Sequence, residues 1–373
     1  MLDEINSKRI TSLRYLLICF VVFIHANLTP DNAINYYHYD FAQPYWIEVF
    51  KNIVCGTLGE AAVPLFFFFA SILQFSKADT YPALLKKRSK SLFLPYVLWT
   101  FIAILMFFVG QSIPQTADFF NNPINVIKNW NYKDWFGAFT YYDSDDNLRL
   151  PFVYQFWFLR DLMIFIILSP LLKLLCEKLS AILPVFVFIA ALREIPLGFT
   201  VSSRALFFYL AGYYTVKYEI DIFKIADKVK LYEYIVLFIL AVVFDVCFAG
   251  KYRFGFIGTL ISCLFFLKIS GYFIRNQKLY SKLDYLSGFS FFLYAVHAPF
   301  LGTAINKISQ KIIPLHGILT LVQFLAAGIL TIILGTLYGM VLKTICPPIF
   351  AFLTGGRIAR GNKETAELNR QTS

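Results

Sequence analysis

Apolar runs of about 20 residues recur along most of this chain, and few folds accept them. A helix rises about 1.5 Å per residue, so such a run matches a hydrocarbon core about 30 Å thick. Backbone polar groups in lipid must be satisfied within the segment, and the helix does this. The 373 residues are 58% hydrophobic and only 15% charged. The chain therefore reads as an all-α polytopic membrane protein of about ten transmembrane helices. The spans are expected near 12–28, 53–75, 91–110, 155–175, 182–198, 203–217, 232–249, 254–273, 286–304 and 318–345. The first run follows Asp3, Glu4, Lys8 and Arg9, and no small-residue cleavage site follows it. It reads as a retained helix rather than a signal peptide.

A net charge of +11 would suggest nucleic acid in a soluble protein. Here it follows from topology, and no nucleic-acid partner is expected. With the N-terminus inside, that side carries Lys8, Arg9, Lys77, Lys86, Lys87, Arg88 and Lys90, and later Lys217, Lys224, Arg275 and Lys343. The other side holds fewer cations and most of the loop acids. The positive-inside rule then puts both termini in the cytoplasm. Residues 1–350 read as one transmembrane domain and 351–373 as a polar, disordered cytoplasmic tail. Within the domain, 111–154 is a long external loop with Trp130, Tyr132, Trp135, Phe136, Phe139, Tyr141 and Tyr142. It also holds the acids Asp143, Asp145 and Asp146. Two readings stand for it: an interfacial helix with a lid over a sugar or cavity, or an aromatic belt on the membrane surface. The six cysteines lie within or at the ends of apolar runs without metal-like spacing, so they read as packing residues and no metal is expected.

Two side chains in the first run have no structural reason to be there. Arg14 and His25 are eleven residues apart. That is three turns plus about 20°, so they share one helix face about 16 Å apart. Polar groups at bilayer depth are costly and face an interior or a wet cavity. A buried neutral imidazole suits general-base or nucleophilic work. A fixed guanidinium suits phosphate or carboxylate. Arg88, in KKRSKSLFLPYVLW, is a topology signal or the mouth of a site for an anionic, phosphate-rich donor such as coenzyme A. His297, before Pro299, is either a hydrogen-bonding group at a kink or a second site residue. Glu60 enters the second span as either the partner of a buried cation or an exposed loop acid. Arg160 and Asp161 are adjacent, point about 100° apart on a helix, and are each expected to find another partner. Trp157 is a belt residue or a cavity wall. Gly335 and Gly339 form a GxxxG that marks close helix packing.

Taken in order, these segments resemble the acyltransferase-3 family of bacterial integral-membrane O-acyltransferases, in a form without an appended SGNH hydrolase-like domain. The resemblance covers about residues 5–350. It rests on Arg14-x10-His25 preceded by Arg9, on VPLFFFFASI (63–72), on RSKSLFLPYVLW (88–99), on FWFLRDLMIFIILSPLL (156–172) and on FLYAVHAP (292–299). Ala70-Ser71 and Ser91 depart from the family pattern, and Lys86, Lys87 and Lys90 stand nearby to supply charge. The resemblance implies a multi-pass protein of the bacterial cytoplasmic membrane. It implies transfer of an acyl group, acetyl above all, from acyl-CoA to a hydroxyl of an envelope glycan or lipid-linked sugar. His25 and Arg14 would be catalytic, with Arg88, Lys87, Lys90 and Arg9 at the donor. Glu60, Trp157, Arg160, Asp161 and His297 would lie toward the acceptor or cavity. The rival reading is a transporter or flippase for a glycan or small organic acid, since intramembrane Arg and His also suit ion-coupled transport. The absence of an evident inverted repeat argues against it.

Overall fold

Asp3 starts the first helix, its side chain accepting from the Asn6 N–H. This helix, α1 (Glu4–Ala26), runs through the middle of the structure. The computed structural model describes residues 3–28, 42–120, 126–141, 150–180, 182–195, 201–247 and 255–356. Next come α2 (Tyr45–Phe75) and α3 (Tyr81–Ser112). The short α4 (Pro114–Phe120) and α5 (Tyr132–Phe139) follow. After them are α6 (Trp157–Ile167), α7 (Ser169–Leu179), α8 (Ile182–Leu192), α9 (Ser203–Lys217) and α10 (Ile222–Lys228). The last part contains α11 (Leu231–Cys247), α12 (Gly255–Arg275) and α13 (Gln277–Ser287). It ends with α14 (Ser290–Ile312), α15 (Leu319–Ile345) and α16 (Pro347–Thr354). The described residues form no strand; Ala42 and His316 make an isolated bridge.

Among the described residues, five helices are long and apolar enough to cross a bilayer: α1, α2, α3, most of α12, and α15. The bent pairs α7–α8 and α13–α14 raise the number to seven. The expected ten are not reached. The run at 155–175 divides into α6 and α7 at Leu168, just before Ser169-Pro170, where proline removes a backbone donor. α8 and α9 have only 11 and 15 residues.

Lipid is as apolar as leucine, so close packing and interhelical hydrogen bonds hold such a bundle together. Small residues mark the contacts. A Cβ on Gly212 of α9 would stand 2.6 Å from the Ser71 side chain and 2.7 Å from the Phe68 carbonyl of α2. The GxxxG on α15 packs as expected: a Cβ on Gly335 would stand 2.7 Å from the Leu293 side chain, and one on Gly339 3.0 Å from the Phe292 ring. α1 is flanked by α2, α12, α13, α14 and α15.

In the aromatic segment after α3, α5 carries a capping box between Asn131 and Asp134. Trp130 packs edge-on against Trp135 and Phe152, while Tyr132 and Phe136 are exposed. The Phe139 carbonyl accepts the Tyr96 hydroxyl of α3 at 2.5 Å, which ties the segment to the bundle. Tyr142, Asp143, Asp145 and Asp146, and most of the polar tail, lie outside the described residues.

Candidate functional site

The face shared by Arg14 and His25 is lined by open space. Ser7, Thr11, Arg14, Ile18 and Val21 of α1 repeat at helical spacing along the wall of a cavity of about 520 Å3. On the facing α2, Val63, Phe66, Ala70, Leu73 and Gln74 line it at the same period, and Lys77 lines it just past the helix end. The α1 stripe spans fifteen residues, about 21 Å of helix, and the α2 stripe from Val63 to Gln74 spans twelve, about 17 Å. One end is charged, with Lys77, Asp79, Lys87 and Arg88. Burial and the neighbouring Lys87 lower the Lys77 pKa, as expected where cations crowd. Lys87 reaches Asp79 at 3.4 Å. The Arg88 Nε is buried without a hydrogen-bond partner. The other end is apolar and aromatic, with Phe66, Phe158, Phe291 and Tyr294.

One turn beyond Val21 lies a second, smaller chamber with room for about one water molecule. It is lined by Val22, His25, Tyr154, His297, Asn306 and Thr331, among others. The His25 and His297 rings are 5.1 Å apart between centroids, and Tyr154 lies edge-on to His25 at 5.1 Å. α14 is bent here. Pro299 follows Ala298, whose backbone is extended (φ −144°, ψ 145°), and this turns His297 inward. His297 Nδ1 is 2.7 Å from the Tyr294 carbonyl oxygen. A carbonyl can only accept, so Nδ1 carries the proton and Nε2 keeps its lone pair. Nε2 is buried and makes no hydrogen bond. His25 is held through its backbone: Asn306 Nδ2 donates to its carbonyl at 3.0 Å, and fully buried Gln323 donates to Asn306 Oδ1 at 3.1 Å. Behind Ala298, the Gln155 side chain donates to the Ala298 carbonyl, while the Gln155 backbone carbonyl accepts the Tyr294 hydroxyl at 2.6 Å.

Along α1 the structure therefore sets in order a cationic mouth, an apolar stretch of cavity and, in the neighbouring chamber, two neutral-capable imidazoles. That set suits an anionic carrier with an activated group and a hydroxyl to be deprotonated. The family model described as an acyltransferase domain matches residues 7–340. The chain belongs to the acyltransferase-3 family. The succinoglycan biosynthesis protein ExoH of Rhizobium meliloti (strain 1021) is 27% identical over 373 residues, covering 95% of this chain and 94% of that protein. No solved structure matches.

In this acyltransferase-family chain the expected site residues separate into groups. Arg14, Lys87 and Arg88 line the cavity, and His25 and His297 line the chamber. Lys90 lines neither and is exposed. Arg9 lines neither as well. It donates to Asp227 at 2.7 and 2.9 Å, to Ser270 at 2.9 Å and to the Leu267 carbonyl at 2.6 Å, over the Phe223 ring. Glu60 reaches Thr259 at 3.3 Å and Arg204 at 3.7 Å, outside both spaces. Trp157 packs near Phe67 without lining the cavity.

Arg160 and Asp161 correct an expectation. They do pair, with Nε and Nη2 donating to Asp161 Oδ1 at 3.0 and 2.9 Å. The 100° between them separates the Cβ directions only. The long guanidinium folds back, held by the Thr140 carbonyl at 2.7 Å, while the Ser202 N–H holds Asp161 Oδ2 at 3.2 Å. The pair fastens α6 to the segments before α6 and α9.

Tyr154, Tyr294, Asn306, Gln155 and Gln323 were not singled out from sequence. Their signal was present: uncharged polar groups in apolar runs are costly at bilayer depth too. Among the described residues, no three His, Cys, Asp or Glu side chains form a metal-ligand group.

Proposed function

We propose that this protein is an integral-membrane O-acyltransferase of the bacterial cytoplasmic membrane, with both termini cytoplasmic. It takes an acyl group, acetyl in the simplest case, from cytoplasmic acyl-CoA. It passes that group to a hydroxyl of an envelope glycan or lipid-linked sugar. The observation that carries this reading is the alignment of the Arg14–Arg88 cavity and the His25–His297 chamber along α1, one turn apart. The relative named for succinoglycan biosynthesis supports a glycan acceptor.

In this reading Arg88, Lys87 and Arg14 hold the phosphates and the apolar passage holds the thioester arm. An imidazole nitrogen of His25 or His297 takes the proton from the acceptor hydroxyl as its oxygen attacks the thioester carbonyl. The carbon–sulfur bond breaks and the coenzyme thiolate takes up the proton, so the ring is restored. A relay differs by one step: His25 nitrogen accepts the acyl group first and the hydroxyl then displaces it. Purified protein incubated with labelled acetyl-CoA and cell-envelope extract tests the reading. The label should reach glycan with the wild type and not with His25→Ala. Binding of no acyl-CoA, or full transfer by His25→Ala, overturns it.

A further inference from the structure

Two buried polar side chains on the cavity wall are not used by the charged mouth or the histidine chamber. Gln74 on α2 is 7% exposed and Ser290 at the start of α14 is 8% exposed. Both line the cavity. Gln74 Oε1 and Ser290 Oγ make no hydrogen bond. Gln74 approaches the Tyr209 hydroxyl, but neither oxygen completes a bond there. Hydroxyls buried in helices normally bond back to a carbonyl three or four residues earlier. Ser12, Ser270 and Thr331 do so here, at 2.6–2.8 Å. Ser290 does not. Ser71 and Ser262 share that state but line neither space. A buried polar atom left unpaired carries its full desolvation cost, so a wall carrying two of them is complementary to a polar guest.

Their positions say which guest. Gln74 is one turn inward from Lys77 on the α2 stripe. Ser290 precedes His297 by seven residues, about 10 Å along the helix. Both sit between the cationic mouth and the imidazoles, where the guest is neither charged nor reacting. We infer that Gln74 and Ser290 bind the secondary amides of the donor's neutral arm, the pantetheine of coenzyme A. Gln74 accepts an amide N–H and the Ser290 hydroxyl donates to an amide carbonyl. This rests on the acyl-CoA reading above and assigns the middle of that site. These are recognition residues; they touch the carrier and leave the reacting carbonyl to the histidines.

Equilibrium binding to the full chain in detergent or nanodiscs tests it with two probes, coenzyme A and its armless head, adenosine 3′,5′-bisphosphate. Gln74→Leu and Ser290→Ala should each weaken coenzyme A binding about tenfold and leave the bisphosphate unchanged. Ser290→Thr keeps the hydroxyl and should keep the affinity. Unchanged bisphosphate binding also shows that each variant is folded. Coenzyme A binding at wild-type strength by either variant overturns the assignment alone. So does an equal loss for both probes. A wild-type protein that binds neither probe overturns the donor reading and this assignment with it.

Discussion

Arg9 and Arg88 both lie toward the basic end of the bundle, and their surroundings are opposite. Every guanidinium nitrogen of Arg9 has a partner, from Ser270, Asp227 and the Leu267 carbonyl, and the Phe223 ring covers its face. Gly271 lets α12 come that close, since a Cβ there would stand 3.3 Å from the guanidinium. Arg88 is half-buried on a cavity wall, its Nε buried and unpartnered. Desolvation of Arg9 is offset by its protein partners; in the proposed function that of Arg88 is offset by the donor's phosphates. A saturated cation is a clamp between helices, and an unsaturated one beside a cavity is a binding group.

The variants that test this contrast range from large effects on turnover to almost none. His25→Ala, on the cavity side, should cut acyl transfer by at least about 100-fold while coenzyme A binding and melting temperature stay at wild-type values. Arg88→Ala should weaken coenzyme A binding by roughly 10- to 100-fold, steepest at low salt, with little change in thermal stability. Arg9→Leu should do the reverse. It leaves Asp227 without its cation and should cost about 2 kcal/mol in denaturant unfolding. That is below the value for a fully buried pair because the Asp227 side chain is 43% exposed. Coenzyme A affinity measured on the folded fraction should not move. Lys90→Ala should change neither quantity beyond about 0.5 kcal/mol, because its side chain is exposed and lines no cavity. A Lys90 effect as large as that of Arg88 would show that bulk charge, and not the cavity wall, holds the donor.

Much of this was legible in the sequence because helical period carries it. Eleven residues between Arg14 and His25 put both on one face, and the cavity and chamber follow that face. The GxxxG of α15 and the break at Pro299 are local rules that hold locally. Among the described residues the span count stops at seven because hydropathy measures apolarity and not continuity: one run divides at Leu168, just before Ser169-Pro170, and α8 and α9 are apolar but short. The pairing of Arg160 with Asp161 was missed because helix geometry fixes Cβ directions and not the reach of a long side chain. Arg9 looked like a donor group because one sequence cannot show Asp227, 218 residues away, arriving beneath it. His297 could be read as a kink residue or a site residue. Its 5.1 Å approach to His25 is a tertiary fact no local pattern contains.

The most direct measurement follows one labelled acyl group through the cavity. Purified protein is loaded with labelled acetyl-CoA and mixed with envelope glycan, and the label is tracked on coenzyme, protein and glycan for wild type, His25→Ala and Arg9→Leu. The predicted result is glycan labelling by the wild type and by the folded fraction of Arg9→Leu, and bound but unreacted donor in His25→Ala. Glycan labelling by His25→Ala at the wild-type rate would contradict a route that runs from the Arg88 mouth to the His25 chamber.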